Sequence, residues 1–220
     1  MVTVCGVPSP RQSRAVAHRE RERQIVDATR ALFDESGRQD ARIDRIARRV
    51  GINKALVYRH FVSKEELFAL TTTRYLAEIN ALLAAVDGEG LSPSGRLSRG
   101  FGAFADYGIE HPAFLDCALS LVREPGELRE QVSDVVLMRL SQATAAWIGW
   151  LADVLHDLEV PEPQLRANQL YLQAIGVLHL ARAGAGLRQV APGLAQPFSV
   201  TPGEVRAACV QLAVAATGKD

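Results

Sequence analysis

The chain has 220 residues, 48% hydrophobic and 23% charged, which is the make-up of a folded protein long enough to bury its own core. Its three cysteines, Cys5, Cys117 and Cys209, lie far apart with no CxxC spacing, which argues against a disulfide scaffold or a zinc module and fits a reducing, cytosolic compartment. The 25 basic and 25 acidic residues cancel, yet 14 basic and 7 acidic residues fall between Arg11 and Lys64, against 11 and 18 from Glu65 to Asp220. A basic head is thus joined to an acidic body, and the head is where a polyanion can bind, a solvated basic helical surface being the plain alternative.

Residues 1–17 hold two prolines, a glycine and little periodicity, and read as a disordered arm. The opening MVTVCGVPSP is too short and proline-broken for a secretory leader. No apolar run approaches the roughly 18 residues that cross a bilayer, so export and membrane insertion are not expected. His18 to Ser36 reads as a helix, with Ile25, Ala28, Leu32 and Phe33 on one stripe and Gly37 as a left-handed cap. Ile43, Ile46, Ala47 and Val50 give a second helix stopped by Gly51. Asn53 caps a very short third helix, Lys54 to Phe61, with Val57 and Phe61 facing inward. Ser63 with Glu66 forms a capping box that opens a long fourth helix to about Val86, with Phe68, Tyr75, Ile79, Leu82 and Val86 on one side.

Gly88 to Gly95 is a glycine- and proline-containing break. Beyond it the periodicity predicts helices at about 95–110, 113–123, 127–158, 163–186 and 202–217, punctuated by Pro112, Pro125, Pro161 and Pro163. Gln189 to Gly203 lacks charge, holds three prolines and reads as a loop. No stretch shows strand alternation, so the fold class is all-α: an N-terminal three-helix head (18–64), then a helical body (65–220) entered along the fourth helix.

The informative stretch is residues 43–64, IDRIARRVGINKALVYRHFVSK. Two short helices joined by a tight glycine turn are the pattern of a helix-turn-helix. Ile46 and Val50 are buried by the following helix, Gly51 permits the turn, and Ile52 plugs the corner. The short helix from Lys54 then projects an end that fits a major groove about 12 Å wide.

Residues 25–70 resemble the DNA-binding domain of TetR-family transcriptional regulators. The resemblance rests on Ala31-Leu32-Phe33 with Gly37, Ile46-Ala47 with Gly51, Lys54, Tyr58-Arg59-His60-Phe61, and Ser63-Lys64-Glu65 with Leu67. Two positions depart from the family pattern. Ala41 and Arg42 stand where a threonine or serine commonly caps the second helix, leaving either Asp40 to take over the cap or the helix start to fray, and Leu56 stands where a small polar residue often faces a base. A leucine there can touch a thymine methyl but cannot hydrogen-bond, and packing is its commoner use.

The resemblance implies a homodimer on double-stranded operator DNA, most often a repressor, with a variable ligand-binding body. Residue chemistry and the resemblance together place Arg45, Arg48, Asn53, Lys54, Ala55, Leu56, Tyr58, Arg59, His60 and Lys64 at the DNA. Lys54 and Arg59 can reach base edges or phosphates, Tyr58 and His60 can donate to phosphates, and Lys64 sits at a helix start that already favours one. Arg45 and Arg48 lie off the buried stripe of the second helix. Arg11, Arg14, Arg19, Arg21 and Arg23 add non-specific attraction.

Dimerisation is expected on the last two helices. Val205, Ala208, Cys209, Leu212 and Ala216 form a stripe on one, and Ala174, Gly176, Leu178 and Ala181 lie in a charge-free run on the other. The same stripes would also suit a monomer core. Phe101, Phe104, Tyr107, Trp147, Trp150 and Tyr171, with His111, His156 and His179 near them in sequence, mark the middle helices as the place for an unidentified small-molecule effector or simply as core. No HExxH, GxSxG, P-loop or GxGxxG pattern and no metal-ligand spacing is found, so an enzyme, a cofactor or a metal is not expected. The expectation is a cytoplasmic, ligand-responsive DNA-binding regulator. The alternative is a helical interaction or small-molecule-binding protein with a degenerate DNA-binding head.

Overall fold

A computed structural model describes residues 10–123, 129–182 and 186–218. The head is built from α1 (Pro10–Ser36), a 3-10 turn (Arg38–Asp40), α2 (Ile43–Val50) and α3 (Lys54–His60). Helix α4 (Lys64–Asp87) leads into α5 (Pro93–Glu110), α6 (Pro112–Arg123), α7 (Asp134–Asp157), α8 (Pro163–Arg182) and α9 (Pro202–Ala215). A two-stranded antiparallel hairpin, β1 (Gly186–Ala191) and β2 (Leu194–Phe198), joins α8 to α9.

The all-α architecture stands, with local corrections. Residues 10–17, expected in a disordered arm, are the first turns of α1; proline suits the first turn of a helix, and the run that follows is rich in arginine, glutamate and alanine, good helix formers. The rest of that arm, 1–9, lies outside the described residues. Gly37 closes α1 at positive φ (+79°) but with extended ψ (161°), so it is not a left-handed helical cap, though its N–H still bonds Phe33 O at 2.8 Å. Asp40 does not cap α2: the capping position is Arg42, without a side-chain bond. Leu82 is 40% exposed and Leu83 takes its place in the core. The helix expected over 127–158 is interrupted at Val132–Ser133, and α7 starts afresh at Asp134.

The loop expected over 189–203 contains most of the hairpin. Its strands are exposed on both faces, Val190 by 44% and Leu194 by 52%, so no alternation of apolar and polar residues existed to be read. Helix α7 also corrects the membrane argument. Its most apolar 18-residue window has mean hydropathy 1.2, long and apolar enough to cross a membrane by composition. In the fold its apolar side, with Trp147, Leu151, Val154 and Leu155, is buried against α4, α5 and α8.

One apolar core runs from head to body through α4. In the head Phe33 meets Phe68 edge-on at 4.8 Å, and in the body Phe104 stacks on Trp147 at 4.9 Å. Phe101, Tyr171 and Phe114 complete that aromatic cluster, so these rings chiefly fill the core. Cys117 and Cys209 are buried, and burial pushes their thiols up to about 12 and about 11.

Much of the expected dimer stripe is also spent inside the monomer: Val205, Cys209, Ala174 and Leu178 are buried, while the side chain of Ala181 lies outside the description. An apolar stripe at helical spacing reports burial, whatever covers it.

Polar contacts weld the head to the body. Arg30 of α1 pairs with Glu78 of α4, which accepts from Tyr107 Oη of α5 at 2.9 Å. Tyr75 Oη donates to Asp34 Oδ1 at 2.8 Å. Burial first, and then these carboxylates, hold both phenols above the usual tyrosine range, so they remain donors. On another side the buried Glu66 carboxylate accepts from Val62 N at 2.7 Å and from the N–H and hydroxyl of Ser133, just before α7. Ser63 Oγ accepts from Glu66 N at 2.9 Å, so the expected capping box is only half built: Glu66 serves the Val62 and Ser133 backbones in place of that of Ser63. Glu66→Ala leaves these donors unsatisfied, and chemical denaturation should show a loss of about 2–3 kcal/mol.

Candidate nucleic-acid interface

The corner between α2 and α3 follows from its sequence. Gly51 adopts the left-handed conformation (φ 73°, ψ 33°), and its N–H reaches back to the last turn of α2. Ile52 N donates to Ala47 O at 2.9 Å, and Val50 and Ile52 pack against the core. Asn53 Oδ1 then accepts from Leu56 N at 2.8 Å and starts α3. Val57 and Phe61 are buried and anchor the short helix. Two turns of helix have little stability alone, so this anchoring holds α3 in place.

The opposite face of α3 is open. Asn53, Lys54, Ala55 and Arg59 are exposed, Tyr58 is 46% exposed, and Leu56 is half-buried. Lys54 Nζ lies 5.9 Å from the Tyr58 ring centroid. Lys64, in the first turn of α4, sits 4.8 Å over the Phe68 ring. Arg48 is well exposed, with only a loose 3.6 Å pair to Asp44.

Other predicted residues are placed differently. Arg45 Nη1 donates to Asp40 O at 3.2 Å and to Ser36 Oγ at 3.3 Å, so it braces α2 against α1. Arg49 is held by Glu35 through two 2.6 Å bonds, which also hold that carboxyl below the usual range. The His60 ring lies 4.4 Å from that of His18 on α1, with Nδ1 buried and unbonded. Burial and the neighbouring His18 hold its pKa below the ordinary value, which favours a neutral ring turned toward α1. Arg42, passed over as a departure from the cap pattern, is exposed beside the start of α2. Its positive charge is the signal the sequence carries for it.

Most of the head's acids stand beside an arginine, Glu20 and Glu35 closely against Arg23 and Arg49, and Glu22, Asp27, Asp34 and Asp44 more loosely near Arg139, Arg74, Arg30 and Arg48. Lys54, Arg59 and Lys64 carry no ion pair among the described residues. Positive charge is therefore left on α3 and at the start of α4, in the form a phosphate backbone attracts.

The family model for "Bacterial regulatory proteins, tetR family" matches residues 25–71, the span holding this corner. Residues 25–71 are thus similar to the DNA-binding head of TetR-family transcriptional regulators. Among its relatives, the HTH-type transcriptional regulator BetI of Serratia proteamaculans is 41% identical over 56 residues, covering 26% of this chain and 28% of that protein. The HTH-type transcriptional activator FasR of Mycolicibacterium smegmatis is 28% identical over 167 residues, 74% of this chain and 69% of that one. Several curated relatives are matched over only about three tenths of their own length. The fold extends beyond the head: the crystal structure of a TetR-family regulator from Mesorhizobium loti covers 91% of this chain and 96% of its own with a TM-score of 0.63, at 16% identity.

No atom stands within 4 Å of a Cβ built on Gly51, so Gly51→Ala probes backbone strain alone. It should cost about 1–2 kcal/mol in thermal or chemical unfolding, and Gly51→Asn should cost less, because asparagine visits the left-handed region more readily. Equal losses would point to a cause other than the turn of this head.

Proposed function

We propose that this protein is a ligand-responsive, cytoplasmic homodimer that represses transcription by seating two copies of α3 in a palindromic operator. The observation that carries the reading is the outward, cationic face of α3, with Tyr58 46% exposed and Lys54 and Arg59 beside it, while most of the head's acids stand beside other arginines. In this reading residues 18–64 meet the DNA and residues 65–220 dimerise and bind the effector. Lys54 and Arg59 reach base edges or phosphates, Tyr58 and Lys64 hold phosphates, and Asn53, Ala55 and Leu56 lie against the groove. Arg48 adds a backbone contact; Arg45 and His60 act mainly by bracing the head. Repression follows the commoner behaviour of the family, although the matched FasR is named an activator, so the sign is to be read in a reporter assay.

A dimer supplies the second reading head, since two-fold proteins span half-sites about 34–36 Å apart. Support for the surface comes from the residues that α8 and α9 leave outside the core. Leu165 and Leu172 are each 52% exposed, Gly176 follows on the same side, and Val214 on α9 is 37% exposed, with the partly buried Val210 one turn and the exposed Ala207 two turns before it. These positions are spaced by 3, 4 or 7 residues on two helices that pack side by side. Leu172→Glu should shift sedimentation toward the monomer and weaken DNA binding; an unchanged dimer would place the interface elsewhere. For the effector, an apolar pocket of about 260 Å³ lies among α5, α6, α8 and α9, lined by Ile109, Leu115, Leu178 and Val205. A ligand there that favours one spacing of the heads would change operator affinity by its coupling free energy, typically about 1–3 kcal/mol.

The test is fluorescence anisotropy with the DNA flanking the gene, at several salt concentrations. Selective binding that weakens steeply with salt is expected. Tyr58→Phe and Lys64→Ala should weaken binding to every sequence, and Lys64→Ala should flatten the salt slope by about one. A flat salt response or no preference over random DNA would favour an interaction protein with a degenerate head.

A further inference from the structure

The head and body meet along a second cleft, distinct from the apolar pocket. It has a volume of about 350 Å³ and is walled by α1, α4 and the N-terminal half of α7. That volume is within the range of small-molecule sites, roughly 300–1,000 Å³. Its lining combines the apolar Val26, Leu70 and Ala77 with Arg19, Arg23, Arg74 and Arg139.

Two carboxylates share the cleft, so its formal charge is four positive against two negative. Neither acid holds its partner closely. Arg74 Nε stands 3.8 Å from Asp27 Oδ1 and 3.7 Å from Glu78 Oε1, and Arg139 Nη1 stands 3.9 Å from Glu22 Oε1, with about half of each arginine side chain exposed and no hydrogen bond formed at these distances. Arg23 is drawn to Glu20 at 2.7 Å, outside the cleft. Arg19 has no ion pair among the described residues. Arg19, Arg74 and Arg139, from three helices, thus line one cleft together with apolar side chains and have hydrogen-bond donors to spare. Guanidinium forks match carboxylate and phosphate oxygens, and the apolar part of the lining suits a short hydrocarbon.

We propose that this cleft binds a small amphipathic anion, an organic phosphate or carboxylate with a short apolar body, held by Arg19, Arg74 and Arg139. A ligand gripped there fastens α1 of the head to α4 and α7 of the body. Its effect on DNA would rest on the regulator reading, but the binding itself does not, and the test below contains no DNA.

The experiment uses the full chain with ¹⁵N-labelled arginine and follows the Nε–Hε signals while hexyl phosphate is added. Saturable shifts in the signals of Arg74 and Arg139 are expected, with hexanol and hexylammonium producing none. Arg139→Gln, a change at an exposed side chain, should weaken hexyl phosphate at least tenfold, whereas Arg48→Gln, on the far side of the head's ion pairs, should leave it unchanged. Inorganic phosphate should bind at least tenfold more weakly than hexyl phosphate. Shifts that never saturate, equal weakening by the two variants, or equal affinity for the two phosphates would overturn the proposal, reducing the cleft to a general patch of positive charge.

Discussion

The Glu66 carboxylate sits, almost wholly buried, where the head ends and the body begins. It closes the turn after α3 through Val62 N and holds the start of α7 through Ser133. A buried carboxylate is tolerated only when its oxygens are satisfied, and these donors satisfy them. Because α3 is two turns long, its orientation depends on what fixes the residues on either side of it. Gly51 and the Asn53 cap set its beginning, while Phe61 and the Glu66 junction set its end. The exposed side chains proposed to meet DNA are thus carried on a helix whose position is decided by apolar anchors and one carboxylate behind it.

The second weld, Arg30 and Asp34 of α1 with Tyr75, Glu78 and Tyr107, lies on the other elements of the same junction. Together the two sets of contacts, and the apolar core that runs through α4, make the head move with α4. A regulator that changes the spacing of two heads needs such a connection, since a freely hinged head would transmit nothing from the body. The cleft among α1, α4 and α7 borders the same junction, so an anion bound there and an effector in the apolar pocket would act on one mechanical element from two sides.

The head was legible in its residues because its spacing is demanding. Ile43, Ile46 and Ala47, then Gly51, Asn53, Val57 and Phe61, each have one local role, and the structure shows those roles in place. The side-chain partners were not legible. That Arg45 would turn to Ser36 and Asp40, or that His60 would face His18, depends on how α1 packs across α2 and α3, and no spacing within 43–64 encodes it. The body was legible as helices only. Val205 and Cys209 gave the same apolar signal that an interface would, and the exposed Leu165, Leu172 and Val214 became visible only once the core was closed. The hairpin was missed because, exposed on both faces, it lacks the alternation that burial imposes. The break at Ser133 was missed because its cause, Glu66, lies 67 residues away in sequence.

Methylation protection of guanine N7 on the DNA flanking the gene tests the central claim most directly, since that atom lies in the major groove where α3 is held to enter. The account predicts two protected clusters on one face of the duplex, about one helical turn or a whole multiple of it apart, at protein concentrations that saturate binding. Protection that is absent or uniform along the fragment, with the protein folded and bound, would contradict it.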